Sequence, residues 1–459
     1  MILSYCCFYF WYTYICRMKN SIKNEKRILE KLRINKLNPM QEEAKLAITS
    51  YHDVVLLSPT GTGKTLAFLL PIISELQVNL NTVQVLIITP SRELAIQIEQ
   101  VTREMGTGFK TNAVYGGRPF SKDKIELKHN PAILIGTPGR VADHLRRGTF
   151  AINDIKTLVL DEFDKSLEIG FEQEMKEILS LIPKIEKRIL TSATQEAKIP
   201  YFVGLNQPIC IDYTGEGVQK LEVQTILSAT KDKLEALVTL LNHLGNQPGI
   251  IFCNYKDTIQ RVSDFLYDHD INHGCFYGGM EQKDRERALI KFRNGTHQII
   301  IATDLAARGI DIPEIKFIIH YHLPLKAQEF THRNGRTARM NSKGTAYILQ
   351  YEQEEAPDFI EALNTDSFLA DELTQYNKPS IDTWETLFIS GGRKDKISKG
   401  DIAGLCLKQG KLNREDIGII EIKQDCAFVA VKASQVFDLI KRTNNTRLKK
   451  KKVRISVLK

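Results

Sequence analysis

The chain has 459 residues, of which 42% are hydrophobic and 26% are charged. This length corresponds to about three domains, and the composition excludes collagen-like, disordered and small disulfide-stapled proteins. The 63 Lys and Arg residues against 55 Asp and Glu residues give a formal net charge of +8. From Glu385 onward the chain carries 18 basic and 8 acidic residues, which leaves 45 and 47 for residues 1–384. The positive charge therefore lies in the C-terminal part, most densely in residues 447–454, as a solvated tail or a nucleic-acid footprint.

The first 16 residues, MILSYCCFYFWYTYIC, are uncharged and rich in aromatic residues. They are shorter than the ~20 apolar residues of a membrane-spanning helix, and they lack the basic start and the cleavage site of a signal peptide. We expect translation to begin at Met18, so that residues 1–17 are a misassigned start; a weak membrane anchor is the alternative. The eight cysteines form no Cys-x-x-Cys pair or zinc spacing, which predicts reduced thiols in a cytoplasmic protein. We further expect a monomer without a membrane partner.

Short apolar runs alternate with helical patterns between residues 53 and 350. Continuous Val, Ile and Leu runs that end in a small or polar residue are typical of buried parallel strands. Alternation with helices predicts an α/β fold of two doubly wound parallel sheets, with ligands beyond the carboxyl ends of the strands. The runs are DVVLLS, VQVLIITP, PAILIGTP, TLVLDE, KRILTSAT, GIIFCN, HQIIIATD, KFIIHYHL and GTAYILQ.

The pattern changes after a polar segment at residues 351–383. Residues 384–459 read as strand, helix, strand, strand, helix and strand. This order predicts a small α+β domain, an arrangement that RNA-recognition modules share with many unrelated domains.

A phosphate-binding loop is predicted at Ser58-Pro-Thr-Gly-Thr-Gly-Lys-Thr65, between an apolar strand and a helix. Small residues let backbone N–H groups surround phosphates, Lys64 supplies a point charge, and Thr65 offers a hydroxyl to Mg²⁺. Ser58 occupies the place of the first glycine of the usual pattern, and a plain turn is the alternative. The predicted ATP ligands in this loop are Ser58, Thr60, Gly61, Thr62, Gly63, Lys64 and Thr65.

Two further groups suit the hydrolysis of a nucleoside triphosphate. The apolar run at 158–160 ends in Asp161 and Glu162, which suit metal binding and the orientation of the attacking water. The segment 332–339 carries Arg336 and Arg339 at i,i+3, where they would stabilise the charge of the transition state. A solvated acidic strand end and an exposed basic helix are the respective alternatives.

The order of these motifs resembles that of the DEAD-box RNA helicases, superfamily-two ATPases with two RecA-like lobes. Residues 37–41 resemble the Q motif, in which Gln41 would read adenine. Motifs I to VI are matched, in order, by residues 58–65, 161–164, 192–194, 250–254, 302–311 and 332–339. The resemblance implies ATP bound between the lobes, with Asp311 at the ribose, and Mg²⁺ held by Thr65 and, through water, by Asp161. Asp164, Ser192 and Thr194 would couple hydrolysis to strand separation. The implied boundaries are an N-terminal extension at 1–32, lobes at 33–211 and 221–350, a linker at 212–220, a connecting segment at 351–383 and a C-terminal domain at 384–459.

The same resemblance implies that single-stranded RNA lies across both lobes and is held by its sugar-phosphate backbone. The matching positions are Pro90 and Arg92 (motif Ia), Gly116 and Gly117 (GG element), Thr137, Gly139 and Arg140 (motif Ib), Gln282 and Arg285 (Q-x-x-R element) and Thr303 (motif V).

The chain departs from the family pattern at several positions. Motif II reads DEFD, with Phe163 in the place of alanine, and Leu37 replaces the first proline of the Q motif. The family has an aromatic residue 25 positions before the glutamine that matches Gln41, and here that position is Cys16. Asn334 and Ala338 replace residues of motif VI but leave its arginines intact.

The C-terminal domain is similar to that of the DbpA group of bacterial DEAD-box helicases. In that group the domain anchors the enzyme on a hairpin of large-subunit ribosomal RNA. The third strand keeps Phe428 but has Cys426 and Val431 where RNA-recognition modules prefer aromatic residues. We therefore expect RNA binding mainly through basic residues, with weak stacking on Phe428. The predicted basic contacts are Lys449, Lys450, Lys451, Lys452 and Arg454.

The sequence thus predicts an ATP-dependent RNA helicase that remodels structured RNA, namely large-subunit ribosomal RNA during ribosome assembly, with ATP and Mg²⁺ as cofactors. A non-hydrolysing RNA clamp is one alternative, raised by Phe163 and opposed by intact Lys64 and Glu162. A superfamily-two DNA translocase is the other, opposed by the Q motif.

Overall fold

The computed structural model describes residues 24–168, 170–182, 184–193, 199–215, 221–304, 315–337, 344–363, 365–374 and 383–458. The chain divides into two compact units, with the boundary after Val218. The first unit is one α/β lobe. The second unit contains another α/β lobe and the C-terminal domain.

The first lobe is a seven-stranded parallel sheet in the order β3-β4-β2-β5-β6-β1-β7. Strands β1, β2, β4 and β5 are fully buried runs, and alternate residues of one strand face opposite sides of the sheet. Val54 and Leu56 join the hydrophobic core on one face, whereas Val55 and Leu57 join the core on the other. The elements are α1 (Glu25–Leu32), α2 (Pro39–Ser50), β1 (Asp53–Leu57), α3 (Lys64–Glu75), β2 (Val85–Ile88), α4 (Arg92–Glu104), β3 (Thr111–Val114), α5 (Phe120–Leu127), β4 (Ile133–Gly136), α6 (Pro138–Arg146), β5 (Thr157–Leu160), α7 (Phe163–Glu168), α8 (Glu172–Leu181), β6 (Lys187–Ser192) and β7 (Ile209–Asp212).

The second lobe repeats this architecture in the order β10-β11-β9-β12-β13-β8-β14, again with parallel pairs. The elements are β8 (Leu221–Ser228), α9 (Leu234–Leu244), β9 (Gly249–Phe252), α10 (Lys256–Asp268), β10 (His273–Phe276), α11 (Gln282–Arg293), β11 (Ile299–Ala302), β12 (Phe317–His320), α12 (Ala327–Asn334), β13 (Gly344–Tyr351), α13 (Asp358–Glu361) and β14 (Asp366–Leu369). The predicted doubly wound fold is thereby confirmed for both lobes.

The structure adds detail at three of the predicted boundaries. The segment 351–383 is not only a connector, because β14 within it pairs with β8 as an edge strand of the second sheet. Strand β7 extends to Asp212, so the first sheet reaches into the predicted linker. In the predicted N-terminal extension, Ile28 of α1 is buried in the core of the first lobe. Residues 1–17 lie outside the described residues.

The C-terminal domain has the predicted strand-helix-strand-strand-helix-strand order. The strand order of its antiparallel sheet is β16-β17-β15-β20. A separate hairpin of two short strands, β18 and β19, precedes the last strand. The elements are β15 (Trp384–Ile389), α14 (Lys399–Gly404), which continues as a π-helical turn at Leu405–Gln409, β16 (Ile417–Ile422), β17 (Ala427–Lys432), α15 (Val436–Thr443), β18 (Arg447–Leu448), β19 (Lys451–Lys452) and β20 (Ile455–Val457).

One face of this small sheet packs against the C-terminal end of α11 in the second lobe. Ile290 of α11 is buried with Phe428 and Leu458 of the C-terminal domain. At the edge of this contact, Asn294 Nδ2 donates a hydrogen bond to Thr386 Oγ1 over 3.1 Å. The C-terminal domain is therefore docked on the second lobe through both apolar and polar contacts. Among the helices that the structure describes, none has the length and apolar character needed to cross a membrane.

Candidate ATPase and RNA-binding site

The predicted phosphate loop connects the carboxyl end of β1 with the first turn of α3. Helix α3 begins at Lys64 without a side-chain cap, so no side chain competes for the N–H groups of its first turn. Gly63 has φ +89°, and a Cβ there would lie 2.3 Å from Gln41 Nε2. Only glycine fits this position, because both the left-handed backbone and the close contact exclude a side chain.

The Q-motif residues fasten this loop from α2. Asn38 and Gln41 form a reciprocal capping box, in which Gln41 N donates to Asn38 Oδ1 over 2.8 Å and Asn38 N donates to Gln41 Oε1 over 3.0 Å. Asn38 Nδ2 also donates to the carbonyl of Thr62 over 2.9 Å, and Gln41 Nε2 donates to that of Gly63 over 3.2 Å. Gln41 thus contacts the loop directly. Asn38 shares this task, although sequence reasoning assigned a role to Gln41 alone.

Hydroxyl and ammonium groups hold the interior of the loop. Ser58 Oγ donates to Thr62 Oγ1 over 2.8 Å, so the serine in the place of the usual glycine closes the loop on itself. Lys64 Nζ donates to the carbonyl oxygens of Ser58 and Pro59. The ammonium therefore lies inside the curve of the loop, where β- and γ-phosphates bind in phosphate-loop proteins.

The two predicted catalytic carboxylates lie together after β5. Asp161 is 3% exposed, and burial, with a smaller effect of the neighbouring Glu162, raises the pKa of Asp161 to about 6. Glu162 has φ +49°, an unusual backbone conformation for a residue other than glycine. Thr191 of β6 binds both residues: its hydroxyl donates to Asp161 Oδ1 and accepts from the backbone N–H of Glu162. Sequence reasoning missed Thr191, which directly precedes motif III.

These groups fit a bound Mg²⁺. A buried carboxylate with a raised pKa gains from a nearby cation, and hydroxyl and carboxylate oxygens are hard ligands of the kind that Mg²⁺ prefers. Within the described residues, no cluster of three or more His, Cys, Asp or Glu side chains is arranged to hold a metal. A site that supplies one or two protein oxygens beside substrate phosphates is consistent with this finding.

Phe163 of the DEFD motif belongs to the core rather than to the ATP site. Its side chain is 2% exposed and lies in the hydrophobic cluster that contains Leu160, Leu190 and Val203. Asp161 and Asp164 of the same motif are also buried. Ser192 of motif III is fully buried, and its carbonyl accepts a hydrogen bond from Ser58 N over 3.0 Å. Thr194 lies outside the described residues.

In the second lobe, motif VI is organised by Arg333, which sequence reasoning did not single out. Its guanidinium is 1% exposed; Nε donates to Asp304 Oδ1 over 2.6 Å, and Nη2 donates to Asn254 Oδ1 over 2.7 Å. Arg333 therefore ties motif VI to motifs IV and V. Arg336 follows in the turn after α12 and is 6% exposed. Arg339 and Asp311 lie outside the described residues.

The RNA elements predicted in the first lobe are neighbours in space. The guanidinium of Arg92, the first residue of α4, covers the GG element: a Cβ on Gly117, which has φ +82°, would lie 2.4 Å from Arg92 Nη1. Pro90 is buried just before this helix. Thr137 is the N-cap of α6 but makes no side-chain cap, and Gly139 lies in the first helical turn with open space around its Cα. The N–H groups at this helix start can therefore donate hydrogen bonds to a phosphate oxygen.

The predicted RNA elements of the second lobe flank β10 and β11. Gln282 begins α11, and the guanidinium of Arg285 lies 4.8 Å from the ring centroid of Phe276. Thr303 directly follows β11, and its N–H donates to the carbonyl of Phe276 over 3.3 Å. The Q-x-x-R element and the first residues of motif V are thus brought to the same edge of the second sheet.

The basic residues of the C-terminal domain lie on and beside the β18–β19 hairpin. Lys449 pairs with Asp401, and Lys451 pairs with Asp395, each over 2.9 Å. The three other predicted contacts make no ion pair with any described residue and are exposed: Lys450, Lys452 and Arg454. The hairpin therefore presents positive charge to solvent while two of its lysines are held by carboxylates.

Phe428 does not have the exposed position that base stacking requires. It is 7% exposed, it packs with Ile290, and Phe388 meets it edge to face with 5.9 Å between ring centroids. Docking on the second lobe covers the ring face that a base would need. The structure thus disagrees with the predicted stacking role, because an apolar residue on this sheet face gains more from contact with α11 than from exposure.

Comparison with known proteins agrees with this architecture. Residues 38–200 match the DEAD/DEAH box helicase family, residues 232–341 match the helicase conserved C-terminal domain, and residues 386–457 match the DbpA RNA binding domain. The chain belongs to the DEAD-box ATP-dependent RNA helicases, enzymes that hydrolyse ATP.

Within that class, the chain is of the DbpA type. It is 32% identical to ATP-dependent RNA helicase DbpA of Escherichia coli over 437 residues, which are 92% of this chain and 94% of the relative. It is 31% identical to DbpA of Bacillus subtilis, over 94% and 96% of the two chains. Among solved structures it is similar to S. cerevisiae Dbp5 bound to RNA and ADP BeF3, with TM-score 0.68, 26% identity and coverage of 77% and 96%. The resemblance to DEAD-box helicases predicted from the motifs is confirmed.

Proposed function

We propose that this helicase remodels structured large-subunit ribosomal RNA during ribosome assembly, in the cytoplasm and as a monomer, while its C-terminal domain holds it on the RNA. The observation that carries the proposal is the exposed positive hairpin of a DbpA-type domain that is itself docked on the second lobe. A docked domain fixes the distance between the anchored RNA and the RNA-binding elements of the second lobe. The core would then act on helices near the anchor.

In the ATP site, each described residue has a role that its position supports. Gln41 and Asn38 hold the loop and face the adenine side, Lys64 neutralises phosphate charge, and Glu162 orients the attacking water. Thr65 and, through water, Asp161 would hold Mg²⁺, which neutralises developing charge on the phosphates. Arg336 and Arg339 would stabilise the transition state, and Asp311 would contact the ribose. Asp164, Ser192 and Thr194 would couple this site to RNA.

RNA binding by the core is proposed at the elements named above, through the backbone and without sequence preference. The C-terminal domain adds phosphate contacts from Lys450, Lys452 and Arg454. Each phosphate contact makes the logarithm of the binding constant fall more steeply with the logarithm of salt concentration. The proposed boundaries keep the two lobes at 33–211 and 221–350 and the RNA-binding domain at 384–459, with β14 added to the second lobe.

Hydrolysis is tested by phosphate release from ATP with and without RNA. We expect RNA-stimulated release by the wild type and loss of it in the Glu162→Gln variant, which keeps the shape of the side chain. Equal binding of RNA without hydrolysis would favour the clamp, and equal stimulation by DNA of the same sequence would favour the translocase.

The RNA target is tested by crosslinking the full-length protein to cellular RNA and sequencing the bound fragments. The proposal predicts a peak on large-subunit ribosomal RNA that disappears when Lys450, Lys452 and Arg454 are changed to Gln. An even distribution over messenger RNAs would contradict the assembly role while leaving the ATPase intact.

A further inference from the structure

Asp123 is a fully buried carboxylate in α5, between the GG element and motif Ib. No motif of the sequence includes it, and it lies outside the ATP site. A buried charge is costly unless it is paired and hydrogen-bonded. The partners of the Asp123 carboxylate therefore indicate which parts of the lobe it holds together.

Two arginines share this carboxylate, one in motif Ib and one directly after the GG element. Arg140 of motif Ib contacts Asp123 Oδ2 with Nε and with Nη2, each at 2.7 Å. Arg118, directly after the GG element, lies with Nε 3.2 Å from Oδ1, an ion pair without hydrogen-bond alignment. The buried His144 of α6 places Nε2 3.2 Å from Oδ2. One carboxylate thus joins the segment after GG to the first two turns of α6.

Arg140 closes the connection on its other side. Its Nη2 also donates to the carbonyl oxygen of Arg118 over 2.7 Å, and the side chain is only 12% exposed. The guanidinium is therefore engaged inside the protein. Arg140 links the two elements, and a contact with RNA would have to come from what remains of its fork.

Phe120 covers the cluster from outside. Its ring stacks on that of His144 with 4.4 Å between centroids, and the guanidinium of Arg140 lies 5.0 Å from the ring centroid. These contacts limit the access of water to the ion pairs, and a guanidinium that contacts one carboxylate oxygen with two nitrogens in a dry environment has a well-defined geometry.

We infer that Asp123 is a positioning residue for RNA binding by the first lobe. It holds the GG element and the start of α6 in one relative arrangement, so that both meet the same stretch of RNA backbone. The inference rests on the proposed use of these elements for RNA. Loss of Asp123 lets them shift, and misplacement of binding groups by about 1 Å can cost on the order of 100-fold in rate.

The test is the RNA dependence of ATP hydrolysis by the full-length protein with the Asp123→Asn variant. We expect the RNA concentration for half-maximal stimulation to rise about tenfold or more, with the KM for ATP unchanged and kcat at saturating RNA reduced less than threefold. The matched control is Asp143→Asn, which removes a more exposed carboxylate of α6 that pairs with Arg147. Its RNA curve should equal that of the wild type.

Arg140→Lys separates positioning from direct contact. Lysine keeps the charge that a phosphate needs but loses the fork that reaches both Asp123 and the Arg118 carbonyl. We expect Arg140→Lys to weaken RNA stimulation as Asp123→Asn does, and the double variant to be no worse than the poorer single one. Independent, multiplying effects would overturn the inference, as would an unchanged RNA curve for either single variant that folds. Should Asp123→Asn fail to fold, Arg140→Lys decides alone. A wild type without RNA stimulation would instead contradict the proposed function.

Discussion

Thr191 and Asp161 are joined across neighbouring strands: the hydroxyl at the end of β6 donates to the carboxylate that follows β5. The same hydroxyl accepts the N–H of Glu162 over 3.2 Å. Burial raises the pKa of Asp161, whereas the Thr191 hydrogen bond and the charge of Lys64 lower it. Thr191 therefore favours the ionised form of Asp161, the form that would hold Mg²⁺, and supports the unusual backbone of Glu162.

The Thr191→Val variant tests this relationship, because valine keeps the shape and removes the hydroxyl. We expect kcat for ATP hydrolysis to fall about tenfold, which corresponds to the loss of about 1.4 kcal/mol from a charge-assisted hydrogen bond. The acidic limb of the pH profile, which we expect near pH 6 without substrate from the pKa of Asp161, should move to higher pH. Thr191→Ser keeps the hydroxyl and should retain both rate and profile; a loss in both variants would mean that packing, rather than the hydrogen bond, is decisive.

A second prediction concerns Phe163, where the family pattern has alanine. Because the ring is 2% exposed and surrounded by Leu160, Leu190 and Val203, the Phe163→Ala variant leaves a cavity. We expect the first lobe to lose about 3 kcal/mol of unfolding free energy, measured by denaturant unfolding.

The control for this cavity is Phe437→Ala in the C-terminal domain, where the side chain is 77% exposed. That change should alter stability by less than about 0.5 kcal/mol. If Phe163→Ala were as stable as the wild type, the surrounding core would have to collapse around the smaller residue, and our assignment of Phe163 to packing would be wrong.

Sequence patterns predicted the buried central strands but missed the edge strands and β8. The runs that became β1, β2, β5, β9 and β12 are continuous Val, Ile and Leu segments, because both faces of a central parallel strand are buried. Strand β3 reads TNAV, β10 reads HGCF and β14 reads DSFL, and all four residues of β14 are exposed. At an edge the neighbouring strand supplies the hydrogen bonds, and the side chains carry little signal.

The site shows the same division between local and tertiary information. The phosphate loop, Gln41 and the DExD carboxylates were predictable, because their chemistry requires fixed spacing within short segments. Thr191 and Arg333 were not predictable, because each acts by contacting a residue 29 positions away. Asp123 was not predictable, because it lies in a helix that carries no motif and acts through its contact with Arg140 of another helix. Phe428 was misjudged for the related reason that docking on α11 is a tertiary contact.

Acid should destabilise the second lobe. Burial, with a smaller effect of Lys291, lowers the pKa of His297 to about 4, and burial with the charge of Arg333 lowers that of His320 to about 3. Unfolding returns both to about 6.5, so the unfolded state binds the protons first as pH falls. Stability from neutral histidine is complete above pH 6.5 and decreases below it, by about 2 kcal/mol per residue at pH 5.

Two measurements between pH 8 and pH 5 test this loss of stability: urea unfolding of the protein and hydrogen exchange of the backbone amides of β12. The His297→Gln variant cannot take up the proton, so its stability should depend less on pH than that of the wild type. His129→Gln, an exposed position in the first lobe, serves as the control and should leave the slope unchanged. Parallel slopes for wild type and His297→Gln would contradict the assignment.

The docking of the C-terminal domain should depend on Ile290, which is 1% exposed at the centre of the contact with Phe428 and Leu458. In the Ile290→Glu variant, docking would bury an unpaired carboxylate at a cost of several kcal/mol, more than a small apolar contact can offset. We expect faster hydrogen exchange in the C-terminal part of α11 and in β15, and a red shift of Trp384 emission, because Trp384 lies beside Gly295. Ile419→Glu, at a position that is 50% exposed on β16, should change neither measurement.

Binding of RNA by the C-terminal domain should persist in the Ile290→Glu variant. Unwinding of an RNA helix next to the bound hairpin should become slower, since release of the domain removes the fixed distance between the anchored RNA and the second lobe. Unwinding at the wild-type rate together with the faster exchange would show that a flexible tether is sufficient.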